Sequence, residues 1–395
     1  MTEREAKESV VKAGIRLVES GLIARTWGNV SCRISSGYFV ITPSGRDYLS
    51  LTAEDIVTVA ISDLSYQGDI KPSGEKAVHA EVYSQFPEVN FVIHTHQEEA
   101  SIISTFGLDY INSDLNLPLI GDKIICASYG LPGTKKLRKG VADALRHTKG
   151  NAIIMKCHGA LCFGANEEEA FLAASNLEKA CYDFITSSYK KIRYTNEYDG
   201  DKMRQMALER ITNKITEPST SLLFCNSERS SNGFKLIDKS GKEIMLSFHE
   251  IDGPYAEEAR IHNEIYRNNK HITHILHKDS PDMRAVSRAD IKVYPLVDDF
   301  AQMIGTEVKT ITDISPKSTS ALKKTSAVFV RNHGAYCCGA SEGDAKAVQM
   351  IMEKNCKALL RGILFGKGKP IGWLDRKLMR FVYLKKYSKQ IGEKN

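Results

Sequence analysis

His94 and His96 lie two positions apart, and a third histidine, His158, follows later in the chain. Residues two apart on a strand point to the same face, so this pair can present two ring nitrogens to one ion. His158 comes just after another apolar run, Ala152 to Lys156, and before Gly159, which would let the chain turn away. Three imidazoles with an open fourth position describe a catalytic metal centre rather than a structural one, and ligand type favours zinc. Mn²⁺, Fe²⁺ or Co²⁺ could occupy the same nitrogens. Glu75 begins a helical segment and can reach the same ion, or a substrate beside it. A bare His-x-His pair is a weak signal, because two strand-end imidazoles bonded to solvent or backbone would look the same.

Three small polar pairs accompany these groups: Gly28-Asn29, Ser44-Gly45 and Ser73-Gly74, each at a turn. Such pairs can aim backbone N–H groups and short hydroxyls at an anion, and Ser73-Gly74 also opens a helix whose N-terminus favours negative charge. Singly, each is an ordinary turn or helix cap. His79 stands one helical turn from Glu75 and reads as a packing or supporting residue.

The positioning elements follow from periodicity. An amphipathic helix is expected over 3–20, ending at Gly21, and strands over 38–42 and 56–61. A helix is expected from Glu75 to Phe86, between Pro72-Ser73-Gly74 and Pro87. Short buried strands at 90–94 and 151–155 and a long helix over 167–190 complete the pattern. Few regular βαβ units appear, so the fold class is α/β, a mainly antiparallel sheet layered with helices.

Much of this is written twice. Glu75, His79, Glu81, Tyr83 and His94 recur 183 positions later as Glu258, His262, Glu264, Tyr266 and His277, with Asp279 at the place of His96. Asn151 to Ala170 returns 175 positions on as Ser326 to Ala345, identical at nine of 20 positions, where composition alone gives about one or two. Repeats decide architecture before single residues do. Two tandem domains are therefore expected, near 1–200 and 215–395, with the polar stretch Tyr194 to Ser221 as linker. The second copy keeps Gly233 and Ser240-Gly241. It shows no counterpart of Thr26 to Ser31, and Tyr255, Ala256 and Glu257 replace Pro72-Ser73-Gly74. A carboxylate can bind zinc, so Glu258, His277, Asp279 and His333 remain a possible second site. The missing loop and turn make a degenerate, supporting domain the better expectation.

The segments TWGNVSCR (26–33), ITPSG (41–45), KPSGE (71–75), HTH (94–96) and KCHGALCFG (156–164) together resemble the class II aldolase/adducin family, in order, over nearly all of 5–190. The resemblance implies two tandem class II aldolase-like domains, the second degenerate. It places His94, His96 and His158 on the family's zinc ligands and Glu75 on its acid/base carboxylate. It places Gly28, Asn29, Ser44, Gly45, Ser73 and Gly74 on its phosphate cradle. The implied activity is a zinc-dependent lyase that cleaves or rearranges a phosphorylated ketose through an enediolate, with the cation as Lewis acid. A closed site would lift the Glu75 pKa to suit it to proton transfer. Where the family's catalytic Tyr would fall the chain has Asp114, with Tyr110 nearby. That leaves epimerase or decarboxylase chemistry open at the same centre, and a non-catalytic, adducin-like scaffold beside both. The family's four-fold rings imply a homo-oligomer, here a homodimer of tandem chains forming a pseudo-four-fold ring.

Composition sets the remaining bounds. Of 395 residues, 26% are charged and 42% apolar, ordinary for a globular protein, and 54 basic against 48 acidic residues leave +6. The densest basic stretch is the tail: Arg376, Lys377, Arg380, Lys385, Lys386 and Lys389, interleaved with Phe381, Tyr383 and Tyr387. Nucleic-acid or membrane contact is one reading of it. A solvated helix face is the favoured one, so neither partner is expected. Nine cysteines, an odd number without a CxxC pair, fit a reducing compartment. With a charged, helical N-terminus and no apolar run near the ~18 residues of a membrane span, a cytoplasmic location is expected.

Overall fold

The computed structural model describes residues 1–23, 27–212, 225–249, 255–311, 324–366 and 368–387, and the single positions 251, 253 and 322. Thr26, the end of the expected linker and Lys389 lie outside the described residues. The chain divides into two compact units, one over Met1–Tyr198 and the other over Asp199–Lys389.

The first unit opens with α1 (Glu3–Glu19), held at its start by a reciprocal Thr2/Glu5 capping box. Then come β1 (Asn29–Arg33), β2 (Tyr38–Ile41), β3 (Val57–Ala60), α2 (Lys76–Gln85), β4 (Phe91–Thr95), α3 (Glu98–Ser104), β5 (Tyr110–Asn112), β6 (Lys123–Ala127), α4 (Lys135–His147), β7 (Ala152–Met155), β8 (Gly159–Gly164) and α5 (Glu167–Arg193). The eight strands form one sheet in the order β3-β2-β1-β4-β8-β7-β6-β5. Every pairing is antiparallel except β6 with β7. Val78, Val82 and Tyr83 of α2 and Leu137, Val141 and Leu145 of α4 pack on Phe39, Ile41, Val92, Ile153, Leu161 and Phe163. Ile93 and Cys162, which alternate with these along their strands, are also fully buried, so the sheet is covered on both sides.

The second unit repeats the plan with α6 (Gly200–Ile211), β9 (Asn226–Arg229), β10 (Gly233–Ile237), β11 (Glu243–Ser247), α7 (Ala256–Asn268), β12 (His274–Lys278), α8 (Pro281–Arg288), β13 (Thr310–Ile311), β14 (Ala327–Val330), β15 (Ala335–Gly339), α9 (Glu342–Leu364) and α10 (Trp373–Val382). Its sheet runs β11-β10-β9-β12-β15-β14-β13, with β13 and β14 its parallel pair. Both units are thus α/β domains built on a mainly antiparallel sheet.

Three expectations need correction. The stretch expected as a linker contains α6, because Met203, Ala207 and Leu208 give a polar sequence one apolar stripe that is buried in the second unit. The second copy does keep a counterpart of β1. Ser227 and Arg229 occupy in β9 the places of Ser31 and Arg33, and each arginine donates to three carbonyls at a helix end: Arg33 to Tyr83, Phe86 and Val89, Arg229 to Tyr266, Asn269 and Ile272. The tail helix is not a polar solvated face. Arg376 and Arg380 of α10 turn inward to the carbonyls of Thr306 and Met303, while Trp373, Leu374 and Phe381 are exposed. Among the described residues no helix is long and apolar enough to cross a membrane, and none of the nine cysteines is in a disulfide.

Candidate metal centre

Strand register assembles the site. Asn29 of β1 stands opposite His94 of β4, and His94 opposite Leu161 of β8, so three neighbouring strands bring these positions into one row. His96 follows the end of β4, its backbone N–H donating to the Leu22 carbonyl. His158 sits in the turn between β7 and β8. There the left-handed residue is Cys157 (φ 59°) rather than Gly159. Gly159 serves close approach instead: a Cβ there would lie 2.2 Å from the Thr95 carbonyl oxygen.

The three rings converge. The candidate ligand atoms of His94, His96 and His158 all lie within 4.8 Å of one another, and the three side chains are buried. His94 Nε2 is 3.0 Å from His96 Nε2, and the His94 and His158 rings stack with centroids 4.7 Å apart. Glu75 closes the group: Oε2 is 3.2 Å from His94 Nε2, and Oε1 is 2.9 Å from His158 Nε2. Ligands of a tetrahedral zinc ion stand about 3.3 Å apart, so these nitrogens and the carboxylate fit a divalent cation of that size. The carbonyl of Ala160 accepts from His94 Nδ1 at 2.9 Å, which leaves Nε2 as the bare nitrogen facing the cluster. Burial pushes the His94 pKa well below its ordinary value, against the pull of Glu75. Among the described residues this is the one such group of three.

Glu75 departs from its expected electrostatics. It caps α2 rather than beginning it. Burial alone would raise its pKa, but the His158 and His94 rings, with hydrogen bonds from His158 and Asn29, outweigh this and hold it well below the usual carboxylate range. The carboxylate is therefore an ionised acceptor, not a protonated acid.

The six expected cradle residues lie around the start of α2. Ser44 N–H donates to the Lys71 carbonyl and Ser73 N–H to that of Thr42, which joins the two Ser-Gly turns. Ser73 Oγ accepts from Glu75 N–H at 3.2 Å. The two Ser-Gly turns thus stand beside the N-terminus of α2, an end that favours negative charge. Gly28 (φ +117°) passes so near β4 that a Cβ would lie 2.5 Å from the His94 carbonyl oxygen. Its own carbonyl accepts from Tyr48 Oη at 2.5 Å. Tyr48 was not singled out in the sequence, where one tyrosine after ITPSG carries no signal. Ser31, another residue missed, joins His79 and Tyr83 beneath the site. The recurrence of Ser, His and Tyr in both copies was its available signal. Tyr110 stays away from the cluster, on β5 at the sheet edge with Lys123 over its ring. Asp114 is exposed.

The model of the family "Class II Aldolase and Adducin N-terminal domain" matches residues 8–185 and again residues 228–360. The chain belongs to the class II aldolase and adducin family. A relative, 5-deoxy-D-ribulose 1-phosphate aldolase of Bacillus thuringiensis serovar kurstaki, is 28% identical over 179 residues, 45% of this chain and 83% of the relative. Among solved structures, an L-fuculose 1-phosphate aldolase is 26% identical, covers 52% of this chain and 95% of its own, with a TM-score of 0.44. An L-fuculose-1-phosphate aldolase from Thermus thermophilus is likewise 26% identical, over 47% and 95%, with a TM-score of 0.39.

In the second copy the corresponding groups do not converge. Glu258 Oε1 accepts from Tyr336 Oη at 2.6 Å and from Cys225 N–H at 2.9 Å, and faces His262 Nε2 at 3.3 Å. Tyr336 stands at the position of Leu161, and Cys225 at that of Asn29. His277 Nε2 donates to the His333 carbonyl at 2.5 Å. Asp279 takes a two-pronged bond from Arg284, at 2.9 and 2.7 Å. In the turn matching Ser44-Gly45, Asp238 accepts from Ser240 N–H, Ser240 Oγ and Lys242 N–H, while Tyr255 Oη donates to its other oxygen at 2.8 Å. A carboxylate thus occupies the turn that matches Ser44-Gly45 of the first copy. The hydrogen bond from Ser240, above all, holds it well below the usual carboxylate range.

Proposed function

We propose that the chain, an enzyme of the class II aldolase type, cleaves a phosphorylated ketose in its first domain through a divalent cation held by His94, His96 and His158. The observation that carries this reading is the convergence of three buried imidazoles with the Glu75 carboxylate at 2.9–3.2 Å. A cation bound there supplies Lewis-acid polarisation of a substrate carbonyl and hydroxyl. Ligand type favours zinc, with Mn²⁺, Fe²⁺ or Co²⁺ able to use the same nitrogens.

The chain's own groups do the rest. Gly28, Asn29, Ser44, Gly45, Ser73 and Gly74 seat the phosphate against the start of α2 and so fix where the reacting carbons lie. Glu75, ionised and 3.1 Å from the Asn29 amide, takes and returns the proton at the carbon that becomes nucleophilic on cleavage. The second domain contributes structure rather than chemistry. A homodimer and a cytoplasmic location belong to the same proposal, and a solution mass of two chains checks the former.

Epimerisation or decarboxylation at the same centre is the second reading, favoured by Tyr110 lying on the sheet edge. The deciding experiment loads the protein with Zn²⁺, measures bound metal by elemental analysis, and follows products from ketose 1-phosphates by NMR. Two aldehyde or ketone fragments support cleavage, and an epimer or CO₂ supports the second reading. Bound metal with no turnover of any phosphorylated ketose or sugar acid would leave a non-catalytic binding protein.

A further inference from the structure

Asn29 has a second duty, which rests on the function just proposed. Its amide nitrogen only donates, so Glu75 Oε2 accepts from it at 3.1 Å. Its amide oxygen only accepts, so the His79 Nε2 that faces it carries a hydrogen. His79 Nδ1 is then the bare nitrogen and accepts from Ser31 Oγ at 2.6 Å, and Ser31 Oγ in turn accepts from Tyr83 Oη at 2.7 Å. Every donor in the chain Tyr83, Ser31, His79, Asn29, Glu75 thus points one way. Ser31 and His79 are fully buried and Tyr83 and Asn29 nearly so. Water does not compete at such depth, and each bond polarises the next.

The second domain isolates what this chain of bonds is for. There Tyr266 Oη and Ser227 Oγ are 2.8 Å apart, and Ser227 Oγ and His262 Nδ1 2.6 Å, the same arrangement beneath α7. Yet with Cys225 at the place of Asn29, His262 meets Glu258 directly. The Tyr-Ser-His scaffold is common to both domains, and the amide link exists in one.

We propose that His79, fixed in its Nε2–H tautomer by Ser31 and Tyr83, is a positioning residue that sets the Asn29 amide and through it the Glu75 carboxylate. The reverse setting of the amide would turn its oxygen toward Glu75 and its NH₂ toward the Nε2–H of His79. The tautomer forbids that. Glu75 therefore keeps its donor and its aim at the substrate carbon, while the three metal-facing imidazoles are untouched.

The test pairs Ser31→Ala with Ser227→Ala in the full-length chain. Both remove the same buried hydroxyl, so both are expected to lower Tm by a similar few degrees. Only Ser31→Ala is expected to lower kcat, by about 10-fold, with KM and bound zinc nearly unchanged. Equal kcat per folded molecule in Ser31→Ala and wild type would reduce the network to packing and overturn the proposal. Side-chain ¹⁵N NMR of His79 is independent of turnover. An Nε2–H tautomer in wild type, disturbed in Ser31→Ala, supports the proposal, and an Nδ1–H tautomer overturns it. A wild-type protein with this tautomer but no turnover would instead fault the functional reading and leave the His79–Asn29 setting standing.

Discussion

The two domains hold the same helix and strands beneath two different endings. In the first, Glu75 faces His94 at 3.2 Å and His158 at 2.9 Å. In the second, the matching Glu258 is taken up by Tyr336, Cys225 and His262, His277 by a backbone carbonyl, and Asp279 by Arg284. A ligand set is thus lost by more than one exchanged ligand. Each remaining group has acquired a local partner, as buried polar groups must. Restoring one residue would not restore the site. The turns differ likewise: Asp238 pairs with Ser240 and Tyr255 in the second domain, at the turn matching Ser44-Gly45 of the first.

The contrast can be broken most directly at the carboxylates. Glu75→Gln should lower kcat by about 10²–10⁴-fold with metal retained, while Glu258→Gln leaves kcat unchanged; a comparable loss from both would place chemistry in the second domain. At the imidazoles, His94→Ala should abolish stoichiometric metal binding and His277→Ala should not. Asp279→His alone should not add a second ion, because His277 stays bonded to the His333 carbonyl; elemental analysis of the purified variants reads both outcomes.

A third measurement sharpens what the domains share. Burial lowers the His79 pKa to about 3 and that of His277 to about 4. Folded values below the unfolded 6.5 mean that this stability is complete above pH 6.5 and is lost as pH falls below it. Urea unfolding at pH 7.5 and 5 should show losses on the order of 2 kcal/mol per histidine, in both units. No acid sensitivity in either would argue against buried neutral rings. The smallest effect belongs to the cradle. Ser73→Ala should raise KM for a ketose phosphate by about 10-fold and spare kcat, since a seating contact acts on ground and transition state alike.

Much of the first domain was legible because its chemistry is local in sequence. His94 and His96 share a strand end, the Ser-Gly pairs mark turns, and Glu75 stands at a helix start. The second domain was read less well. Its β1 counterpart escaped notice because, of the five residues of β1, only Ser31 and Arg33 are matched there, by Ser227 and Arg229. α6 escaped because Met203, Ala207 and Leu208 in a polar stretch become one buried stripe only once a partner surface exists. The depressed Glu75 pKa could not be read either, since it depends on which nitrogens lie within 3 Å or so of the oxygens.

By itself the sequence determined the duplication, the family, the layered antiparallel sheets and the four groups that meet at the first centre, His94, His96, His158 and Glu75. Residue type and spacing along a strand, turn or helix are properties of the chain. Tertiary structure decided which copy keeps an open centre, because Tyr336 reaches Glu258 from 78 positions away and only across the sheet. It also set the direction of the hydrogen bonds behind Glu75. Such contacts are made by strand register and burial, and a pattern of residue types carries neither.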